Sequence, residues 1–259
     1  MKTLSILITL LISIKSFACD CYKKDFLEAY ADADIVLTAK VVDITRNGKS
    51  AGYSNLNLEP IDIYKGNFEN QIKLYNEAKS MCVFYPPIDT TWLFFATKDT
   101  NNGYYTMRWC NSSKQLDKQF YNNRAPNAEK HYYWHVPLTL DLFQFLSKNK
   151  LNPNYDSKIQ PIIESFSIFD KYKNADIEGG KFAYYEVTVD KSYNIVNLVP
   201  IIEFGNPKLR EELLTDIYNN LTILKQKTSL SDITTVTFIL HYYKDTSNRT
   251  RIRTVNGLR

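Results

Sequence analysis

The sequence predicts a mainly β protein with a smaller α+β part: a five-stranded barrel, a helical connector, then a compact β-β-α-β unit. Three observations carry this. Five short segments of alternating character, separated by turn signals, fill residues 34–109. Apolar residues shift to helical spacing between Leu116 and Tyr172. A hairpin pattern, a capped helix and a last apolar strand then close the chain.

The first element is not part of that fold. Met1-Lys2-Thr3 is a short basic start, Leu4–Ile14 is largely apolar, and Ser16-Phe17-Ala18 reads as a cleavage signal. Such a run is a secretory leader, too short to span a bilayer as a membrane helix would. Export is therefore expected, with residues 19–259 as the mature chain. Nothing later approaches a transmembrane segment.

A short amphipathic segment at Phe26–Tyr30 leads into the first strand, Asp34–Ile44. There Ile35, Leu37, Ala39 and Val41 share one face, and Thr38 and Lys40 the other. Further strands are expected at Leu58–Tyr64, Gln71–Tyr75, Thr91–Thr97 and Tyr104–Trp109. Turns at Asn47-Gly48, Lys65-Gly66-Asn67, Pro86-Pro87 and Asn101-Asn102-Gly103 separate them. Five such strands can close on themselves, which removes the edges an open sheet would leave. In the connector, Leu138, Leu142, Phe143, Phe145 and Leu146 recur at helical spacing. Ile159, Ile162, Ile163, Phe166 and Phe169 predict a second helix, separated from the first at Asn152-Pro153. Gly179-Gly180 precedes a strand at Phe182–Asp190, a turn at Lys191-Ser192 and a second strand from Tyr193. Asn206-Pro207 caps a helix with Leu209, Leu213, Ile217 and Leu221 on one face, and Ile233–Tyr243 is the last strand.

Four cysteines, Cys19, Cys21, Cys82 and Cys110, all lie in the first part of the chain. An even number in an exported protein predicts disulfides. Cys19 and Cys21 are poorly placed to bridge each other, so each is expected to reach a distant partner. The net charge is only +4, part of it in Arg249, Arg251, Arg253 and Arg259, read as a frayed, solvated tail; nucleic-acid binding has no support. Abundant Lys, Asn, Ile and Tyr suit an AT-rich bacterial genome, so the sequons at Asn111, Asn220 and Asn248 read as accidental.

Candidate chemistry is sparse. His131 and His135 have metal-site spacing, but Tyr132 stands where a metalloprotease helix needs glutamate, and aromatic packing is the reading preferred. His241 sits in an apolar strand and reads as a satisfied or edge histidine. No nucleophile elbow, phosphate loop or dinucleotide fingerprint occurs, Glu211-Glu212 looks like solvated helix surface, and oxidised cysteines are not thiolates. The chain is read as a non-enzyme with no cofactor and no metal of its own.

Cys19-Asp20-Cys21, followed by Ala33-Asp34-Ile35-Val36-Leu37-Thr38-Ala39-Lys40, resembles the tissue inhibitors of metalloproteinases. Their mature chain also begins Cys-x-Cys and runs into such a strand at the same spacing. The resemblance covers residues 19–115 and implies a five-stranded OB-fold barrel of the netrin-like kind. By order it pairs Cys19 with Cys82 and Cys21 with Cys110. It also implies an inhibitory N-terminus. There the α-amine of Cys19, with an ordinary pKa of about 7.7–8.0, and its carbonyl chelate the zinc of a target protease, while Asp20 enters the specificity pocket. Residues 179–245 resemble more loosely the TonB C-terminal domain, through Val187-Thr188-Val189-Asp190-Lys191-Ser192-Tyr193-Asn194-Ile195, which lacks the glycine of that pattern.

The chain departs from the first family at three points. Ala31 replaces a cysteine that starts a third bridge, Asp20 replaces a small hydroxyl residue, and the cysteine-rich C-terminal half is absent. The organisation expected is a leader at 1–18, the barrel at 19–115, a connector at 116–175, the α+β unit at 176–245 and a basic tail at 246–259. The partner expected is a zinc metalloprotease or another envelope protein, met in the periplasm or outside the cell. Two readings stand beside this. In one the cysteines only staple a scaffold and the C-terminal unit binds its partner by strand addition; in the other Cys19 carries a lipid anchor, which Ser16-Phe17-Ala18 fits poorly.

Overall fold

The computed structural model describes residues 24–46, 52–68, 71–75, 84–108, 111–120, 126–156, 158–163, 165–173, 175, 179–225, 230, 232–244 and 250–255. The chain is mostly β. Strands β1 (Ile35–Arg46), β2 (Tyr53–Lys65), β3 (Gln71–Tyr75), β4 (Thr91–Lys98) and β5 (Tyr105–Arg108) form a closed ring. β1, β2 and β3 run as an antiparallel meander, and β3 pairs in parallel with β5. β5 pairs with β4, which closes back onto β1 through Ile35↔Ala96 to Lys40↔Thr91. A short β6 (Lys114–Gln115) pairs with β4 at Trp92 and Leu93, whereas β5 pairs with it at Thr97 and Lys98.

The barrel fills with Ile35, Leu37, Ala39 and Val41 from β1, Leu56 and Leu58 from β2, Ile72 and Leu74 from β3, and Trp92, Phe94 and Met107. The alternation read in β1 thus points into the barrel. The opposite face is buried too, because two helices cover it. Helix α1 (Phe26–Asp32) is capped by Asp25, whose carboxylate accepts the Glu28 amide at 2.9 Å, satisfying one of the free N–H groups of a helix start. At its other end Lys65 Nζ donates to the carbonyls of Tyr30 and Ala31, at 2.8 and 2.9 Å. Helix α2 (Pro126–Lys148) inserts Phe143 between Tyr30, Tyr64 and Phe95, with ring centroids 4.9, 5.9 and 5.9 Å away.

The predicted second connector helix is a correction. Ile159–Ile163 is strand β7, followed by a 3-10 helix at Phe166–Tyr172. Buried positions in β7 fall at 159, 161 and 163, a period of two, and the strand finds its partner in β10 (Leu221–Lys225). The 3-10 helix inserts Phe169 and Tyr172 into the C-terminal core.

The C-terminal half keeps the predicted hairpin, β8 (Phe182–Val189) and β9 (Ile195–Ile202), the helix α3 (Pro207–Asn220) and the strand β11 (Thr234–Lys244). Asn206 caps α3 by accepting the amides of Lys208 and Leu209. Two strands were not foreseen. Leu221, expected on the helix face, begins β10, and the expected loose tail holds β12 (Thr250–Thr254), paired with β11 from Leu240↔Thr254 to Lys244↔Thr250. The sheet order is β12-β11-β8-β9. One face (Tyr185, Val187, Phe238, Leu240) packs on Leu209, Leu213 and Ile217 of α3. The other (Phe182, Tyr184, Ile239) shares a cluster with Leu142, Phe143 and Leu146 of α2 and with Tyr30 and Phe95 of the barrel. Helix α2 is therefore a middle layer, apolar towards both neighbours. Among the described residues no helix is long and apolar enough to cross a membrane, which says nothing of strands.

Candidate functional site

The site expected from sequence is the start of the mature chain. Cys19, Asp20, Cys21, Cys82 and Cys110 all lie outside the described residues. What can be built is the ground on either side of them.

Between β5 and β6, at Asn111–Ser113, polar side chains take the place of ladder hydrogen bonds. Asn111 Nδ2 donates to the Phe95 carbonyl, and the Phe95 amide donates to Ser113 Oγ at 3.2 Å, so both backbone groups of one β4 residue are taken. Asn111 Oδ1 also accepts the Ser113 amide at 3.1 Å. Between them Ser112 is held at a φ of +68°, a left-handed conformation uncommon for a side chain of its kind. Its hydroxyl donates to the carbonyl of Lys24 at 2.9 Å. The strand leaving the barrel and the chain entering it are thus joined by one hydrogen bond. Sequence reasoning met Asn111 only as a sequon. The available signal was the run Asn111-Ser112-Ser113 directly after Cys110.

Beside this junction lies a cleft of about 230 Å³ lined by Lys24, Asp32, Phe95, Met107, Arg108 and Asn111. Lys24 pairs with Asp32, and the Arg108 guanidinium lies 5.0 Å from the centre of the Tyr75 ring. Asp25, the α1 cap, is buried and also accepts the Tyr155 hydroxyl, whose pKa is raised by burial and by that carboxylate. The entry is therefore fixed by neutral and paired groups. No nucleophile–base pair is assembled among these residues.

His131 and His135 lie on α2 and His241 on β11. His135 packs edge-on against Trp134, ring centres 4.7 Å apart, whereas the His131 side chain lies outside the described residues. His241 is in the sheet, stacked on Phe182 and Tyr243 at 4.9 and 5.5 Å. Its Nδ1 is buried without a hydrogen-bond partner, and His241 pairs with Arg253 on one side and Phe182 on the other, so the expectation of a satisfied or edge histidine is corrected. Burial, helped by Arg253 and Lys181, lowers its pKa to about 3, so it is neutral near pH 7. Among the described residues no group of three or more His, Cys, Asp or Glu side chains is arranged to hold a metal. No protein-family model matches the chain, and no curated protein sequence matches it.

Proposed function

We propose that this chain is an exported, non-enzymatic binding protein whose barrel is an OB fold of the metalloproteinase-inhibitor kind, offering the amine and carbonyl of Cys19 to the zinc of a target protease. The observation that carries the reading is the Ser112–Lys24 hydrogen bond. It ties a residue two beyond Cys110 to one three beyond Cys21, within reach of a Cys21–Cys110 bridge of ordinary span. The ring order β1-β2-β3-β5-β4, with β3 and β5 its one parallel pair, supports the OB reading. A first residue held by a bridge to the barrel would present its amine without the entropy cost of ordering a free chain end.

Asp20 sets the expected strength. A carboxylate entering a protease pocket beside the enzyme's own glutamate is desolvated and repelled, a loss of several kcal/mol, and about 1.4 kcal/mol is tenfold in affinity. Mature protein titrated against a panel of zinc metalloproteases is expected to inhibit weakly. Asp20→Thr should inhibit more tightly, and one alanine added before Cys19 should abolish inhibition. Inhibition unchanged by the added alanine would exclude the amine as a ligand. Non-reducing peptide mapping should find Cys19 with Cys82 and Cys21 with Cys110; a Cys82–Cys110 peptide would refute the assignment.

The second reading, an envelope adaptor that binds by strand addition, is favoured by one feature of the C-terminal sheet. Strand β9 is a sheet edge carrying exposed Val196 (53%), Val199 (37%) and Ile201 (44%). An apolar edge of this kind is a template for an added strand. Val199→Lys should then abolish partner capture without changing the protein's melting temperature.

A further inference from the structure

We propose that the groove between α2 and the β11–β12 hairpin binds the oxyanion group, phosphate or carboxylate, of a small-molecule ligand, with Arg253 as its anchor. Arg253 lies on β12 directly across from His241, on the sheet face turned to α2. Its guanidinium carbon sits 3.5 Å from the centre of the Trp134 ring and 4.5 Å from that of Tyr243. These rings fix the plane of the cation and remove much of its water.

What the rings do not supply is an acceptor. Arg253 Nε is buried without a hydrogen-bond partner, and among the described residues the guanidinium donates no hydrogen bond and meets no carboxylate within 4.0 Å. The neighbouring Arg251, by contrast, pairs with Asp170 at 3.8 Å. A desolvated cation lacking a counter-charge is unfavourable, and burial pulls the Arg253 pKa down to about 10, still charged near pH 7. Because only Nε is both buried and unpartnered, the Nη groups keep solvent contact. They form the fork that two oxygens of a phosphate or carboxylate accept side by side.

The surroundings have the same sign. The groove, about 470 Å³, is lined also by Lys181, Lys244 and Asp141, and Asp141 is already paired with Lys181 at 2.8 Å. Among the described residues Lys244 and Arg253 are left uncompensated, while His241 is neutral and adds no charge of either sign. The volume is that of a small-molecule site rather than a macromolecular one. A purely structural strut would explain the ring contacts but not the missing acceptor.

The test is titration of the purified full chain with inorganic phosphate and, separately, with acetate, each against sodium chloride at matched ionic strength, followed by NMR of the Trp134 indole, the His241 ring and the Arg253 side chain. Saturable shifts confined to those groups are expected, and the tighter of the two anions identifies the ligand group. Arg253→Lys keeps the charge but not the fork and should weaken binding at least about tenfold. Lys244→Ala leaves the ring contacts intact and should weaken it about threefold, which decides the matter if the arginine variant does not fold. Shifts that fail to saturate with either anion, that map elsewhere, or that are unchanged in both variants overturn the proposal.

Discussion

At Gly66 the chain leaves β2 with a φ of +76°, and a Cβ there would lie 2.2 Å from the Asp34 carbonyl oxygen. That oxygen belongs to the residue just before β1, itself held by a hydrogen bond from its amide to Ala96, so neither backbone can give way alone. Gly66→Ala is expected to lower stability by more than the roughly 1–2 kcal/mol of the left-handed conformation itself, seen as a lower urea midpoint. Tyr193 adopts a φ of +66° at the turn between β8 and β9, where Asp190 accepts the amides of Ser192 and Asn194, each at 2.8 Å. Those bonds hold a tyrosine in the conformation a glycine would take without strain. His241 makes a prediction about pH. Its folded pKa, about 3, lies below the ordinary 6.5, so the unfolded chain takes up the proton first. Its contribution is complete above pH 6.5 and is lost as pH falls from there towards 3, by up to about 1.4 kcal/mol per unit. Urea midpoints at pH 7 and pH 4.5 should converge for His241→Phe relative to the native chain; equal acid sensitivity would show that the buried imidazole titrates normally.

Among the elements, α2 has the most to lose. A helix apolar on one stripe needs one neighbour, but Leu138, Leu142, Phe143 and Leu146 serve a cluster that reaches both the barrel and the sheet. Phe143 is fully buried against three rings. Phe143→Ala should cost about 3–5 kcal/mol in denaturant unfolding, whereas Gln144→Ala, one residue away and exposed, should cost little. A similar loss for both would mean that helix propensity, not packing, holds α2. Strand β12 teaches the reverse lesson. Its five residues carry two arginines, and it is ordered because β11 offers a free edge and Trp134 a ring for Arg253.

For the whole molecule, the cluster joining Tyr30 and Phe95 of the barrel to Phe182, Tyr184 and Ile239 of the C-terminal sheet predicts joint unfolding. Calorimetry of the intact protein should show one transition, and two resolved transitions would refute this coupling. If the two proposed bridges are present, each stabilises the fold by roughly 4 kcal/mol at most through its long loop. Reduction should then lower the single transition rather than release a separate C-terminal one, although no cysteine lies beyond residue 110.

The strands of the barrel are legible in the chain, because alternation with a period of two and the Gly, Asn and Pro turns between strands are local signals. So are the α3 cap at Asn206-Pro207 and the β8–β9 hairpin. Tertiary structure decided the rest. Val36, on the polar side of the alternation, is fully buried because α1 and α2 cover the barrel's outer face. Ile159–Ile163 is a strand because β10, some sixty positions on, supplies its hydrogen bonds, and apolar spacing in so short a run fits either period. Asn111, Ser112 and Ser113 gain their role only when β4 lies beside them. The Arg253 groove unites residues from α2, β11 and β12 with Lys181, just before β8, so no local pattern could announce it: its charge and its missing acceptor exist only once those elements pack.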